Sequence, residues 1–302
     1  MSTLTPRVVL VTRESDYEWL LAHHATRGQA AFFLEQRGQK LAQVEARHER
    51  LKQALVNVRA AIPAEWRSAQ VKRAELDRFL FASEDIVVAV GQDGLVANVA
   101  KYLNGQPVIG VNPEPDINDG VLVPFREDDL AQVLLAAPHG DWPSELRTMV
   151  QASLDDGRQL VGLNEIFIGH ASHQSARYEI AFGKAHENHS SSGIIVTTGT
   201  GATGWARSIR QQSKMVHSKA PAPTDPALEF LVREAWPSRF TQAELVDGLI
   251  ASKGSLRVTS RMNDGGVIFA DGMEGDRLTF GWGQGLDIKV ADRKLKLLKG
   301  VR

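Results

Sequence analysis

The sequence predicts an α/β plus all-β protein: an N-terminal wound α/β domain followed by a C-terminal antiparallel β-sandwich. Three observations lead there. Up to about Phe125, short continuous apolar runs alternate with helical stretches, the pattern of a parallel sheet buried on both faces. From about Pro143 the runs alternate polar with apolar, as strands with one buried face do. The length, 302 residues, exceeds one average domain and suits two. The expected division is 1–137 and 138–302, with the end of the chain able to pack back on the first domain.

In order along the chain, "RVVLV" (Arg7 to Val11), "DIVVAV" (Asp85 to Val90) and "PVIGV" (Pro107 to Val111) are the buried strands. Between the first two, Asp16 to Ile62 is rich in Ala, Leu, Glu, Gln and Arg and reads as helix, broken at Gly28 and Gly38. Its stretch Gln39 to Ala60 carries an apolar stripe that suits core or a dimer contact. "QVKRAELDRF" offers a short strand and a helix, "GLVANVAKYLNG" a helix closed by Gly105, and "EDDLAQVLLAA" another helix. Beyond Pro143, "EIFIGHA", "ARYEIAFG", "SGIIVTT", "SLRVTSR", "GVIFADG", "RLTFGWG" and "LDIKVAD" are the sandwich strands, and "KAPAPTDPA" is a Pro-rich loop among them.

Charge and composition narrow the function. Lys and Arg total 35 against 36 Asp and Glu, a formal charge of −1, so no broad basic field favours nucleic acid or an anionic membrane. There are no cysteines, which removes thiolate nucleophiles, disulfides and Cys-based zinc sites. No apolar run reaches the roughly 18 residues that a membrane span needs, and a soluble, cytoplasmic protein acting on small molecules is expected. The pairs His170/His173 and His186/His189 have a spacing seen in metal sites, but two ligands seldom hold zinc, and no metal site is assigned.

The strand "DIVVAV" ends on Gly91-Gln92-Asp93-Gly94. In open α/β sheets ligands collect beyond the carboxyl ends of strands, glycines admit close backbone approach, and a helix N-terminus favours an anion. An Asp there suits a metal ion or a proton transfer; equally, it suits a plain turn in which Asp93 caps the next helix. The residues alone leave both readings open.

"GQDG" resembles the GGDG signature of the NAD kinase superfamily. "LNEIFIG" (Leu163 to Gly169), "SSGIIVTTGTGATGW" (Ser191 to Trp205) and "VIFADGMEGDRLTF" (Val267 to Phe280) are similar to its later elements, in the same order. "SDYEW", "PVIGVNPEP" and "RYEI" look like the mitochondrial type of NAD kinase and its bacterial relatives. The resemblance implies phosphoryl transfer from ATP with Mg²⁺, or from polyphosphate in some members, to the adenosine-ribose 2′-hydroxyl of NAD, giving NADP. It also implies a homodimer. The other function class is a nucleotide-binding relative with an altered reaction, regulatory or acting on another nucleoside.

The resemblance distributes roles along this sequence. Asp93 matches the catalytic aspartate, flanked by Gly91, Gln92 and Gly94 on the phosphate turn. Asn164 and Glu165 match the pair that holds the acceptor nucleotide, an amide and a carboxylate suited to a sugar–adenine junction; a turn between strands is the other reading. Thr198, Thr200, Gly201 and Thr203 form a polar rim, or only a well-adapted strand end. Trp205 stands where the family carries Tyr and could stack on a base or simply pack; Asp271 binds nucleotide or turns a hairpin. Gln92 and Leu95 depart from the signature, on what is expected to be the phosphate-facing turn, and Ser192 stands where most bacterial members carry Asp.

Overall fold

The computed structural model describes residues 5–212 and 218–300. They form two compact units, one running to Glu145 and resuming at Lys296, the other spanning Leu146 to Leu295.

The first unit is built on β1 (Arg7–Thr12), α1 (Asp16–His24), α2 (Arg27–Glu35), α3 (Leu41–Ala60), β2 (Arg67–Lys72), β3 (Asp85–Val90), α4 (Asp93–Ala100), β4 (Pro107–Val111), α5 (Leu130–Ala136) and β5 (Ser144–Arg147). Its sheet runs β2-β1-β3-β4, then a returning strand Leu295–Leu298, then β5, and is parallel from β2 through the returning strand. Every residue of β3 is buried, as an apolar run covered on both faces requires. On one face Val8, Leu10, Ile86, Val88 and Ile109 pack with Ala54 and Val58 of α3 and Leu130 and Val133 of α5. Register is pinned at the start of β1, where Arg7 faces Asp85. Arg7 donates to the buried carboxylate through Nε (2.7 Å) and Nη2 (2.6 Å).

Two expectations change here. Gly28 does not break the helical stretch; it lies inside α2, and the break is at Ala25 (φ +58) with Thr26 capping the next helix by accepting from the N–H of Gln29. Gly38 (φ +68) does break it. The first unit also extends past 137, because Trp142 packs beside Phe125 and donates its indole N–H to the carbonyl of Lys299.

The second unit holds β6 (Val150–Leu154), β7 (Gln159–Gly162), β8 (Glu165–His170), β9 (Ala176–Phe182), β10 (Ala185–Ser191), β11 (Ile194–Thr197), α6 (Trp205–Gln212), β12 (Ala227–Val232), β13 (Asp247–Ala251), β14 (Leu256–Ser260), β15 (Gly266–Ala270), β16 (Met273–Thr279) and β17 (Gly285–Val290). They make two antiparallel six-stranded sheets, β10-β9-β14-β17-β6-β7 and β13-β12-β11-β8-β15-β16. The sandwich core lies between them, with Ile166, Ile168, Val196 and Phe230 of one sheet against Tyr178, Ile180, Val258 and Leu286 of the other. On the outer face of the second sheet, Phe167, Ile195 and Leu231 are covered by Ala206 and Ile209 of α6. More strands exist than the sequence pattern marked. The polar edge strand β10, AHENHSS, carries little apolar alternation.

Candidate functional site

In the first unit β3 ends at Val90 and α4 begins at Asp93, so Gly91 and Gln92 are the whole connection. Gly91 holds φ +155, which side-chain-bearing residues rarely adopt, and its N–H donates to the carbonyl of Val111 (2.9 Å). Gln92 is exposed. The half-buried carboxylate of Asp93 does not cap its own helix. It accepts from the backbone N–H of Leu122 (2.8 Å) and of Val121 (3.1 Å), one bond per oxygen. That loop lies flat on β4, where a Cβ on Gly110 would come within 2.0 Å of the carbonyl oxygen of Leu122. Asp93 is therefore oriented from two sides, and each oxygen keeps further acceptor capacity. Leu95 is a correction to the sequence reading: it is 2% exposed and packs toward Gly91, so it belongs to the core of the unit and not to a phosphate-facing surface. A Cβ on Gly94 would meet nothing within 4 Å.

In the second unit the strand order β11-β8-β15 sets the start of β8 beside the ends of its two neighbours. Thr197 pairs with Glu165, and Ala270 with Ile166. Asn164, Glu165, Thr198, Gly201 and Asp271 are thereby gathered at one end of the sheet. Asp271 and Gly272, at φ +52 and +66, are the two-residue turn between β15 and β16, with Ala270 facing Met273 across it. The carboxylate of Asp271 reaches back to the turn before β8. It accepts from the backbone N–H groups of Leu163 (2.8 Å), Asn164 (2.7 Å) and Glu165 (3.2 Å). Asp271 thus turns the hairpin, as one reading had it, and its carboxylate is engaged by the backbone of the Asn-Glu pair, a clamp that neither reading named.

The opposite side of that turn is held by threonines. Thr198 donates its hydroxyl to the carbonyl of Leu163 (2.6 Å) and accepts from the N–H of Thr200 (3.1 Å), and it is fully buried. Thr197, which the sequence reading passed over although it adjoins Thr198, donates to the carbonyl of Asn164 (3.2 Å). Gly201 fits because a Cβ there would come within 2.3 Å of that carbonyl oxygen. Thr200 lies 3.5 Å from Nη1 of Arg147, and Thr203 is exposed. Trp205 stacks on Phe167 with centroids 5.6 Å apart, and Arg233 sits 5.0 Å above its ring. Arg210 of α6 pairs with the buried Glu229 and donates to the carbonyl of Ala202 (2.5 Å), fixing the short turn that carries Gly201 to Thr203.

Against this rigid backbone the two side chains of the pair stand apart. Among the described residues, neither the amide of Asn164 nor the carboxylate of Glu165 has a hydrogen-bond partner, although both residues are half-buried. Burial, with the neighbouring charge of Asp271, pushes the Glu165 carboxyl up to about 7. A desolvated acid with unmet acceptors, on a clamped turn, makes Glu165 a candidate ligand contact. Asp271→Asn should lower stability by roughly 1.5–3 kcal/mol, since an amide offers one acceptor oxygen where a charged carboxylate served three N–H groups. Chemical denaturation reads this; unchanged stability would mean the clamp is not what holds the turn.

The histidine pairs do not form such a site. His170 accepts from Ser172 N–H (3.0 Å), and the buried His189 meets Glu187 (2.8 Å). Among the described residues no three His, Asp or Glu side chains group as metal ligands, and no helix is long and apolar enough to cross a membrane.

An oriented aspartate at the glycine turn of the wound α/β unit and a clamped Asn-Glu pair in the β-sandwich unit are the candidate site residues of a protein of the α/β plus β-sandwich class. No protein-family model matches the chain. It is 27% identical over 128 residues to the NAD kinase of Chlorobaculum tepidum, covering 41% of this chain and 44% of that protein. It is 29% identical over 124 residues to the NAD kinase of Saccharolobus solfataricus (41% and 47%), so the matched stretch spans about half the length of these relatives. With NAD kinase 2 of Geobacillus kaustophilus the identity is 25% over 227 residues, 72% of this chain and 80% of that one. Yeast NADH kinase, solved with NADH, shares the fold at a TM-score of 0.58 and 13% identity, covering 99% of this chain and 85% of its own. The NAD kinase of Archaeoglobus fulgidus, solved with ATP, does so at 0.56 and 17%, covering 97% and 94%. The chain is thus similar in sequence to these NAD kinases, and it shares its fold with the yeast NADH kinase and the Archaeoglobus fulgidus NAD kinase.

Proposed function

We propose that the chain is an NAD kinase, transferring the terminal phosphoryl group of a donor such as ATP to the adenosine-ribose 2′-hydroxyl of NAD. The observation that carries this reading is the Asn164–Glu165 pair, whose backbone is fixed by Asp271 and Thr198 while its polar side-chain ends are left for a ligand. Ribose hydroxyls and an adenine edge supply the donors and acceptors that a carboxylate and an amide need. Asp93 takes the acid–base role that the resemblance gives it, with its carboxylate held at a fixed angle by the N–H groups of Val121 and Leu122. Phosphoryl transfer asks for positioning and charge neutralisation more than covalent chemistry, and Mg²⁺ supplies the latter on the donor phosphates. The reading extends to the mitochondrial-type branch, supported by the resemblance of "PVIGVNPEP" and "RYEI", and to a cytoplasmic homodimer. Incubation of the purified protein with Mg-ATP and NAD, NADH or other nucleosides, read by mass spectrometry, tests it. NADP or NADPH is the expected product; phosphorylation of another nucleoside alone, or of none, would overturn it.

A further inference from the structure

The short turn beside Asn164 is tied to the sandwich by a buried ion pair. Glu229 of β12 is fully buried and pairs in register with Thr197 of β11, on the face of the second sheet that α6 covers. Arg210, on the last turn of α6, reaches Glu229 and donates through Nη2 to the carbonyl of Ala202 (2.5 Å). The neighbouring Gly201 lies so close to the Asn-Glu turn that a Cβ there would come within 2.3 Å of the carbonyl oxygen of Asn164 and 2.6 Å of Oγ1 of Thr197. Contact therefore runs without a gap from Glu229 through Arg210, Ala202 and Gly201 to the backbone of Asn164.

Glu229 is held from its other side as well. Ser218 donates its hydroxyl to Oε1 of Glu229 (2.7 Å) and its N–H to Oδ2 of Asp247 (2.6 Å), while Arg210 takes Oε2 of Glu229. Each oxygen of the buried carboxylate thus has its own donor. Ala206 and Ile209 seat the same helix on Phe167, Ile195 and Leu231 by apolar contact alone. Apolar contact is non-directional and tolerates sliding, whereas charge-assisted hydrogen bonds from a planar guanidinium fix both distance and direction. The pair therefore sets where the turn from Gly201 to Thr203 comes to rest.

We propose that Arg210 and Glu229 are positioning residues for the acceptor nucleotide, acting through the turn from Gly201 to Thr203 and not by touching the ligand. They hold that turn against Asn164 at the spacing that lets the Asn164 amide, the Glu165 carboxylate and the rim hydroxyls meet one ligand together. Without the pair the turn keeps its sequence but loses its stop, and these groups no longer fit a single sugar–base geometry. The proposal rests on the kinase reading for the identity of the acceptor.

Removing Arg210 alone would strand a buried carboxylate, so the decisive variant of the full chain removes both charges, Arg210→Met together with Glu229→Leu. Replacing a buried ion pair by apolar residues of similar volume is often neutral or stabilising, and this variant should unfold at or above the wild-type temperature. Its NAD affinity by calorimetry should nevertheless fall about 10-fold or more, since a misplacement of about 1 Å caused at a distance can cost on the order of 10²-fold. Turnover at saturating NAD and the KM for ATP should stay within a few-fold. Glu229→Gln keeps an oxygen for Arg210 and an amide for Ser218, and should bind NAD nearly as the wild type does. Arg210→Lys keeps the charge beside Glu229 but lacks the second arm of the fork for Ala202; it should lose NAD affinity several-fold, and it decides the matter without the double variant. Wild-type NAD affinity in a folded double variant or in Arg210→Lys would overturn the proposal, as would an equal loss for ATP. The two readings fail separately. Weaker NAD binding by the variants, with no NADP formed by the wild type, keeps the pair and removes the NAD kinase assignment. NADP formed by wild type and variants at the same KM for NAD does the reverse, and a wild type that binds neither NAD nor NADH overturns both.

Discussion

Asp93→Asn is expected to lower turnover of NAD by about 10²- to 10⁴-fold, the usual cost of losing a general base, while NAD affinity stays within a few-fold. The substitution changes charge and almost nothing in volume, but the structure gives it a second consequence. The asparagine oxygen can still accept from Leu122 N–H, whereas its NH₂ group would meet the N–H of Val121, donor against donor. That mismatch should cost roughly 1–3 kcal/mol, small against the 5–15 kcal/mol of a typical domain, so the variant stays folded. Turnover, NAD affinity and denaturation midpoint should therefore be measured on the same preparation. Retained affinity and a folded transition with lost turnover assign Asp93 to the chemistry. Wild-type turnover would leave Asp93 as an anchor for the 120–122 loop and nothing more.

The glycine turn and the Asn-Glu pair were legible in the sequence because each is a contiguous signal, a residue type at a strand end. What orients them was not. The carboxylate of Asp271 bonds residues more than a hundred positions away, and the N–H groups that hold Asp93 come from Val121 and Leu122, in a stretch with no motif. Strand order makes these contacts, and strand order is a long-range property. Leu95 shows the opposite failure. Its place in the signature suggested a surface facing phosphate, yet at the third position of α4 it points into the core, as helical periodicity allows. The stretch Gln39 to Ala60 was read as core or dimer contact from its stripe alone. Val58 and Ala54 do enter the core, but Gln43, Val44 and Arg47 on the preceding turns line a cavity among α1, α2 and α3.

Glu165→Gln should bind NAD more weakly and yet be more stable at pH 8 than the wild type. Buried beside Asp271, the Glu165 carboxyl has its pKa pushed up from an ordinary 4.5 to about 7. The folded protein therefore holds a proton that the unfolded chain releases at lower pH. Stability from this group is full below about 4.5 and is lost as pH rises through about 7, a difference on the order of 3 kcal/mol. Glutamine cannot ionise, so the variant escapes that loss, and the gap between the two denaturation curves should open between pH 5 and pH 8. Binding runs the other way. If the ionised carboxylate accepts from ribose hydroxyls, NAD affinity of the wild type rises roughly 10-fold per pH unit on the acid side of 7 and levels off above it. For the Gln variant the profile should be flat, and at pH 8 the affinity roughly 10- to 150-fold lower, as expected for losing a hydrogen bond to a charged group. Calorimetric titrations at several pH values decide the matter: a wild-type affinity that falls above pH 7 would show that the neutral acid is the binding form, and a profile unaffected by the substitution would remove Glu165 from the acceptor site.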